Sequence, residues 1–486
     1  MSATPQHHRV IIIGAGPGGM CTAIKLREAG IEDFVILEKA SGVGGTWWHN
    51  RYPGAECDVK SHLYSFSFEL KADWSRPFAG QPEILAYLEH VANKYGVKPF
   101  VRFNHAVQAA RWQDRDAEWE VTTTDGQIFR APILVSGMGM FNELEFPDIA
   151  GLQDFQGTQF HSAQWNQQHD LSGKRVAVIG SAASAVQFVP EIAAKTGALY
   201  LFQRTANWVA PKDDTPYSAE QIAKFTNDPN ALHESRAQIY KELNEFITFS
   251  NEGIQAECTR AALANIEVVN DPALREKLKP THPFGCKRPL FSNKYYPVFN
   301  LPQVELVTDR ITQVTADSVV SADGVERKVD TLILATGFKV SRYLSAIEVS
   351  GRNGLKLDDA WRDGAQAYLG MVTSGFPNLF MLYGPNTNNG SIIAMLEIQV
   401  DYILRQLKRL ERERLASIDL RAEVEARYNE SMQQEIQSVD VWRAACGNYY
   451  SASSGRVVTQ WPHTIDEFWA RTMRPDAEVF EARRAS

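Results

Sequence analysis

The chain is poor in cysteine, and what it has is not spaced for chemistry. Cys21, Cys57, Cys258, Cys286 and Cys446 are scattered over 486 residues. The count is odd and no CxxC pair occurs, so neither a disulfide framework nor a redox dithiol is expected, and a reducing, cytoplasmic compartment fits. The eleven histidines form no HxxxH or HxH array, so no metal site is expected. No stretch of ~18–20 apolar residues exists, so nothing is expected to span a membrane. The opening MSATPQHHRV lacks the basic-then-apolar order of a secretory signal. No Lys/Arg block is present to grip nucleic acid, and a net charge of −8 does not suit an anionic lipid surface. What is there is ordinary globular composition, 44% hydrophobic and 22% charged. At ~100–200 residues per domain the length suggests two to four domains.

The informative stretch is residues 9–58. An apolar run, Val10 to Ile13, stops at Gly14-Ala15-Gly16-Pro17-Gly18-Gly19. A helical stretch from Met20 to Glu28 follows, then a second apolar run from Phe34 to Leu37 ending at Glu38. Strand, glycine turn, helix, strand and acid stand in the order of a dinucleotide site. Gly14 permits the tight turn, Gly16 leaves room for a pyrophosphate, and Gly19 lets the helix pack on the strand. The unpaired N–H groups opening the helix face the phosphates, and Glu38, 24 residues after Gly14, is placed to accept from ribose hydroxyls.

Gly44–Asp58 reads GGTWWHNRYPGAECD. Gly45, Trp47, Tyr52, Pro53, Gly54 and Asp58 match, at fixed spacing, a fingerprint that resembles the flavin-site signature of the Baeyer–Villiger monooxygenases. A second resemblance to the same family lies at Phe155, Gly157, His161 and Trp165, in FxGxxxHxxxW; Asn166 departs from the usual Pro or Asp. The related nitrogen- and sulfur-oxygenating flavin-containing monooxygenases have a version of this motif without the Trp. Three readings of His161 stand: a buried, hydrogen-bonded imidazole fixing a connector, a hinge residue whose contacts change as domains rotate, or, least favoured in a linker segment, a proton-transfer group. Trp165 reads as connector packing.

A second nucleotide unit follows. Lys174 to Ile179 is a strand, Gly180-Ser181-Ala182-Ala183-Ser184-Ala185 the turn, Val186 to Ala194 the helix, and Leu199 to Phe202 the next strand. Ala182 stands where the second glycine belongs, which costs some closeness to a pyrophosphate. Past the strand comes Gln203-Arg204-Thr205, with no acid to hold a free ribose. Arg204 offers a bidentate donor to a 2′-phosphate, so NADP(H) is preferred over NAD(H). The remaining cofactor-binding candidates are Thr46, Tyr64 and Val107 for FAD and Ser181, Ser184, Ala185 and Thr205 for NADPH.

Between and after these units the pattern is coarser. Pro82 to Tyr95 has helical spacing, and residues 101–135 read as a β-meander broken at Asp125-Gly126 and ending in Ile133-Leu134-Val135. Residues 140–152 read as a domain connector, and 212–280 as a solvated helical insertion walling the substrate cavity, with helices at Ala219–Phe225, Ala231–Phe246 and Ile254–Val269. Residues 282–300, HPFGCKRPLFSNKYYPVFN, hold three prolines and no long helix. The resemblance makes Arg288 the catalytic arginine and Lys287 an NADP contact. DTLILATGF, ending at Phe338, resembles the element returning the chain from the NADP domain to the FAD domain. A helix near Ser391, amphipathic from Leu396 to Leu410, and an aromatic-rich stretch from Val441 to Trp461 close the chain. That stretch reads as a loop over the cavity; Trp461 touches substrate or NADP, or else packs in the core.

The expected fold is therefore α/β: two dinucleotide-binding, Rossmann-like domains, the NADP domain inserted in the FAD domain, plus a helical insertion. Residues 1–145 and 335–486 form the FAD domain, 146–211 and 281–334 the NADP domain, and 212–280 the insertion. The implied activity is an FAD- and NADPH-dependent monooxygenase that takes a ketone and O2 to an ester or lactone through a flavin C4a-peroxide. Arg288 favours the anionic, nucleophilic oxidant, and Asp58 compensates its charge. There is no CxxxxC beside the flavin, so disulfide reduction is excluded as a main activity. Two alternatives stay open: a heteroatom-oxygenating relative, and a non-catalytic FAD/NADP-binding sensor, motivated by Ala182. Nothing fixes the ketone or the oligomeric state.

Overall fold

Short apolar runs bounded by glycine become central strands. Val10–Ile13 is four buried β-branched residues, too short for a helix and apolar on both faces, as a strand covered on both sides must be. In the computed structural model, which describes residues 4–443 and 447–485, it sits in the middle of a five-stranded parallel sheet. The order is Leu379–Met381, Ile133–Ser136, Val10–Ile13, Phe34–Glu38, Val101–Phe103. A second parallel sheet repeats the plan: Thr158–His161, Thr331–Leu334, Arg175–Ile179, Ala198–Phe202, Val304–Val307. The helices Pro17–Glu28 and Ala183–Ala193 make the first crossover in each unit. In both sheets the strand order reverses beside the glycine-turn strand, the place where open α/β sheets take ligands. The turn is closed the same way twice, Gly137 N donating to Ile13 O at 2.8 Å and Ala335 N to Ile179 O at 2.8 Å. The second sheet is drawn wholly from residues between two strands of the first, so one unit interrupts the other.

The meander forms from Val107–Gln113, Glu118–Thr123 and Ile128–Ala131, paired antiparallel. The insertion holds the helices Ala219–Asn227, Pro229–Ile247 and Glu252–Ile266, capped by Ser218, Asp228 and Asn251. A fourth helix, Pro272–Leu278, is not visible in the periodicity because seven residues are too few to show one; its signal is Asp271-Pro272, an N-cap followed by proline. The long helix Ile392–Arg412 begins at Ser391, ahead of the amphipathic pattern, because its first turn is buried nearly all round. No helix among the described residues is long and apolar enough to cross a membrane.

Two sequence expectations need correction. Gly157–Trp165 is not merely a connector: Thr158–His161 is the edge strand of the second sheet, with His161 opposite Leu334. Of the two readings of Trp461 the core one holds: it is fully buried, its Nε1 donating to Thr464 O at 3.0 Å and its ring edge-on to Phe468. Cys21, Cys57 and Cys258 are free as expected, but Cys286 is disulfide-bonded. A scattered, odd count carries no pairing signal, because pairing depends on which loops the fold brings together. Cys446 lies outside the described residues.

Candidate active site

The first nucleotide cradle is defined by atoms that are missing. A Cβ on Gly14 would stand 2.8 Å from Gly137 O, and one on Gly19 only 1.9 Å from Gly14 O. Only glycine lets strand, helix and the Gly137 turn converge so closely. The helix Pro17–Glu28 starts at Gly16 with no side-chain cap, so its leading N–H groups are free to meet an anion. They open onto a cavity of about 320 Å³, which Gly14, Gly16, Gly18, Glu38, Gly45, Thr46 and Val107 help to line. Glu38 is buried, and its carboxylate accepts from Ala15 N and Ala40 N, both at 2.7 Å. The start of Ile392–Arg412, also without a side-chain cap, contributes Ile392 and Leu396 to the wall. A cradle with no room for a Cβ, two uncapped helix ends and a fixed acid fit FAD. Lys39, His105 and Leu382 also line it and were not singled out from sequence, having no motif of their own. Trp47 and Tyr64 do not appear in the lining. They pack edge-on, Trp47 Nε1 donating to Tyr64 Oη at 3.0 Å.

The second cradle repeats the logic with less room. A Cβ on Gly180 would stand 2.4 Å from Ala335 O. Ala182 caps the helix Ala183–Ala193 with no side-chain bond and is itself exposed, so its methyl does not seal the helix mouth. Ser181 is buried, and its carbonyl accepts from Asn207 Nδ2 at 3.0 Å; Ser184 lies in the first turn, half-buried. Ala185 is fully buried in the core, its methyl packed inward. Arg204 is exposed beyond Ala198–Phe202, and Thr205 is half-buried beside it. Burial, and then the nearby Arg204 cation, lower the Lys287 pKa. Two cations held together against their repulsion fit the 2′-phosphate of NADP.

Asp58, from the end of the first fingerprint, faces Arg288, from the proline-rich segment 282–300. Arg288 belongs to a segment with only the two-residue strand Leu290–Phe291 and the short turn helix Tyr296–Asn300. Its Nη2 stands 3.8 Å from Asp58 Oδ2, with the side chains 42% and 13% exposed. That is an ion pair without a direct hydrogen bond, so the guanidinium keeps donors for another partner. Burial opposes its charge, but Tyr449, Asp58, Tyr383 and Tyr450 outweigh that and hold its pKa above the usual arginine value. Tyr449 was not singled out from sequence; Asn448 ties its loop to the arginine segment by donating to Cys286 O at 2.8 Å.

The two fingerprints meet on one helix of the second unit. Tyr52 Oη donates to Gln187 Oε1 at 2.9 Å, and Gln187 Nε2 donates to Glu56 O at 3.0 Å. The rings of Tyr52 and Trp165 both pack on Phe188, with centroids 6.0 and 5.1 Å away. Gly54 has φ +75°, and a Cβ there would meet Gln187 O at 2.6 Å. Gly157 precedes the edge strand, where a Cβ would press on Asp330 O at 2.6 Å. His161 is buried; its Nδ1 accepts from Ala163 N at 3.1 Å, and burial lowers its pKa against a backbone hydrogen bond to Gly337. It lies edge-on to Phe146 and Phe338, which belong to the two strands of chain crossing between units. Asn166, the departure from the motif, closes a local turn by accepting from Gln168 N at 3.1 Å.

These features agree with what known proteins show. Residues 11–258 match a family model described as pyridine nucleotide-disulphide oxidoreductase. The chain is 42% identical over 486 residues to a Baeyer–Villiger monooxygenase of Pseudomonas aeruginosa, covering 98% of this chain and 92% of that one. It superposes on cyclohexanone monooxygenase from Rhodococcus sp. Phi1 bound to NADP+ with a TM-score of 0.89, at 31% identity, over 99% and 100% of the two chains. A structure titled OTEMO, in complex with FAD and NADP, gives a TM-score of 0.87 at 29% identity over 99% and 100%. The chain therefore belongs to the Baeyer–Villiger monooxygenases, flavoprotein oxidoreductases that work with FAD and NADP(H).

Proposed function

We propose that this protein converts a ketone to an ester or lactone with NADPH and O2, and that Arg288 and Asp58 carry the step that distinguishes this reaction from simple NADPH oxidation. FAD and NADPH, when bound, supply hydride transfer and activation of O2. The chain's own residues position and polarise. Residues 1–145 and 335–486 hold FAD, through Gly14, Gly16, Gly18, Gly19, Glu38, Gly45, Thr46 and Val107. Residues 146–211 and 281–334 hold NADPH, through the Gly180–Ala185 turn, Arg204, Thr205 and Lys287. The helices of 212–280 form one wall of the substrate space. His161, between the two crossings, is the hinge contact.

The observation that carries the reading is the Arg288–Asp58 pair at 3.8 Å. A fixed guanidinium with free donors stabilises negative charge developing on the transferred oxygen and on the ketone carbonyl. Asp58 keeps that guanidinium aimed and spares it a lone charge between domains. Heteroatom oxygenation needs an electrophilic oxygen and gains nothing from such a cation.

Arg288→Ala tests this. The variant is expected to keep NADPH-driven bleaching of the flavin and to lose ketone oxygenation by about a hundredfold or more, the usual cost of removing a transition-state donor. Unchanged ester yield from a ketone panel removes Arg288 from its role. N-oxide or sulfoxide as the sole product of the wild type replaces the ketone reading with heteroatom oxygenation.

A further inference from the structure

Lys212 is a buried cation that no motif explains. Its side chain is 3% exposed, yet it stands at the boundary between the second nucleotide unit and the helical insertion. A buried ammonium must be paired or it is costly. Its Nζ donates to Glu56 Oε1 at 2.8 Å and to Cys57 O at 3.1 Å, and lies 3.7 Å from Asp58 Oδ1. The Phe78 ring covers it at 4.6 Å. All three polar partners belong to the end of the flavin fingerprint, and Asp58 is the carboxylate whose other oxygen faces Arg288.

The backbone of Lys212 is tied just as firmly to the arginine's segment. Lys212 N donates to Asn293 Oδ1 at 2.9 Å, and Asn293 Nδ2 donates back to Lys212 O at 2.5 Å. Two residues earlier in this run, the strand Val209–Ala210 pairs in parallel with Leu290–Phe291. Lys212 thus joins the loop bearing Asp58 to the segment bearing Arg288, with a side chain on one and a main chain on the other. Asp58 sits between two cations, one oxygen toward each.

We infer that Lys212 is a positioning residue for oxygenation: it holds Asp58, and through it Arg288, in register when the second unit shifts against the first. The inference rests on the proposed role of the Arg288–Asp58 pair. Without Lys212, Asp58 is free to swing and Arg288 loses its aim, so NADPH is still oxidised but oxygen leaves as H2O2 instead of entering the ketone.

The test uses the FAD-loaded enzyme with Lys212→Met and Lys212→Arg. Lys212→Met is expected to bleach with NADPH at a rate within about twofold of wild type, while the share of NADPH recovered as ester falls about tenfold and H2O2 rises to match. Lys212→Arg, which keeps the charge, is expected to recover at least about half of the ester yield. A second readout does not use the reaction: thermal unfolding of Lys212→Met, Asp58→Asn and the double variant. The double variant is expected to fall short of the summed single shifts by at least about 2 °C, because the two side chains interact. If Lys212→Met lowers the unfolding temperature but leaves the ester-to-H2O2 ratio at the wild-type value, the residue only stabilises the fold and the inference is overturned. If wild type makes no ester, the proposed reaction fails, and the unfolding cycle alone decides: additive shifts refute the Lys212–Asp58 link, non-additive shifts uphold it.

Discussion

Arg204 and Lys287 show what single residues decide. They are 83 positions apart, yet the Arg204 charge adds to burial in lowering the Lys287 pKa, burial being the larger cause. Arg204 was singled out from sequence because it sits where an acid would select NAD. Lys287 was proposed only through family resemblance, since nothing local marks a lysine in a proline-rich segment. Each is expected to contribute one charge-assisted contact to the 2′-phosphate. Arg204→Ala and Lys287→Ala should therefore each raise the KM for NADPH about tenfold or more, with the KM for NADH moving less than about twofold. Steady-state kinetics with both nucleotides checks this; equal losses for NADPH and NADH would place the two cations elsewhere. Asp58 was named from its motif, but no local pattern pointed to Lys212 beside it, because that contact links positions 154 apart.

At the scale of elements, the glycine turns were read with the most precision. Their function depends on local geometry: Gly19 stands five residues from Gly14, and the two atoms in question touch inside one strand–turn–helix. Gly19→Ala places a methyl 1.9 Å from a carbonyl oxygen. The variant is expected to lose about 1–3 kcal/mol of stability from overpacking and to purify with less flavin, measured as the ratio of flavin to protein absorbance. Wild-type flavin content would show that the turn has slack the geometry denies it. Element boundaries were less legible. The helix Ile392–Arg412 was placed near Ser391, but its amphipathic pattern begins only at Leu396 because the first turn is apolar all round, and Pro272–Leu278 is too short to show a period. The edge strand Thr158–His161 was read as linker because four residues without alternation carry no strand signal; it becomes a strand only because Thr331–Leu334 is there to pair with it.

At the scale of the whole molecule, stability itself should depend on pH through a pair of carboxyls far from any motif. Glu425 accepts from Thr373 Oγ1 at 2.7 Å and Ser374 N at 3.2 Å, and Asp419 from Gly375 N at 2.9 Å, with Arg352 3.4 Å away. Together they anchor the turn that leads into the strand Leu379–Met381 of the first sheet. Burial pushes Glu425 up from 4.5 to about 7 and Asp419 from 3.8 to about 6. Folded-state values above the unfolded ones mean the folded protein binds more protons in this window. Their contribution is complete below the unfolded values and is lost as pH rises through the folded ones. Between pH 4.5 and about 7 the wild type is expected to lose roughly 2 kcal/mol more stability than Glu425→Gln. Denaturant unfolding across that range measures it; parallel pH profiles would show that Glu425 is already ionised in the fold.

The sequence by itself determined the two strand–turn–helix units and their order along the chain. Those features rest on contacts within some thirty residues, where strand, turn, helix and the charge after the next strand are close along the chain as well as in space. Tertiary structure alone decided the rest. It made one helix of the second unit the seat of both fingerprints, sent Trp461 into the core, bonded Cys286, and put a lysine behind Asp58. Each of these joins segments far apart along the chain, and such encounters are set by how the layers pack, which no local pattern records.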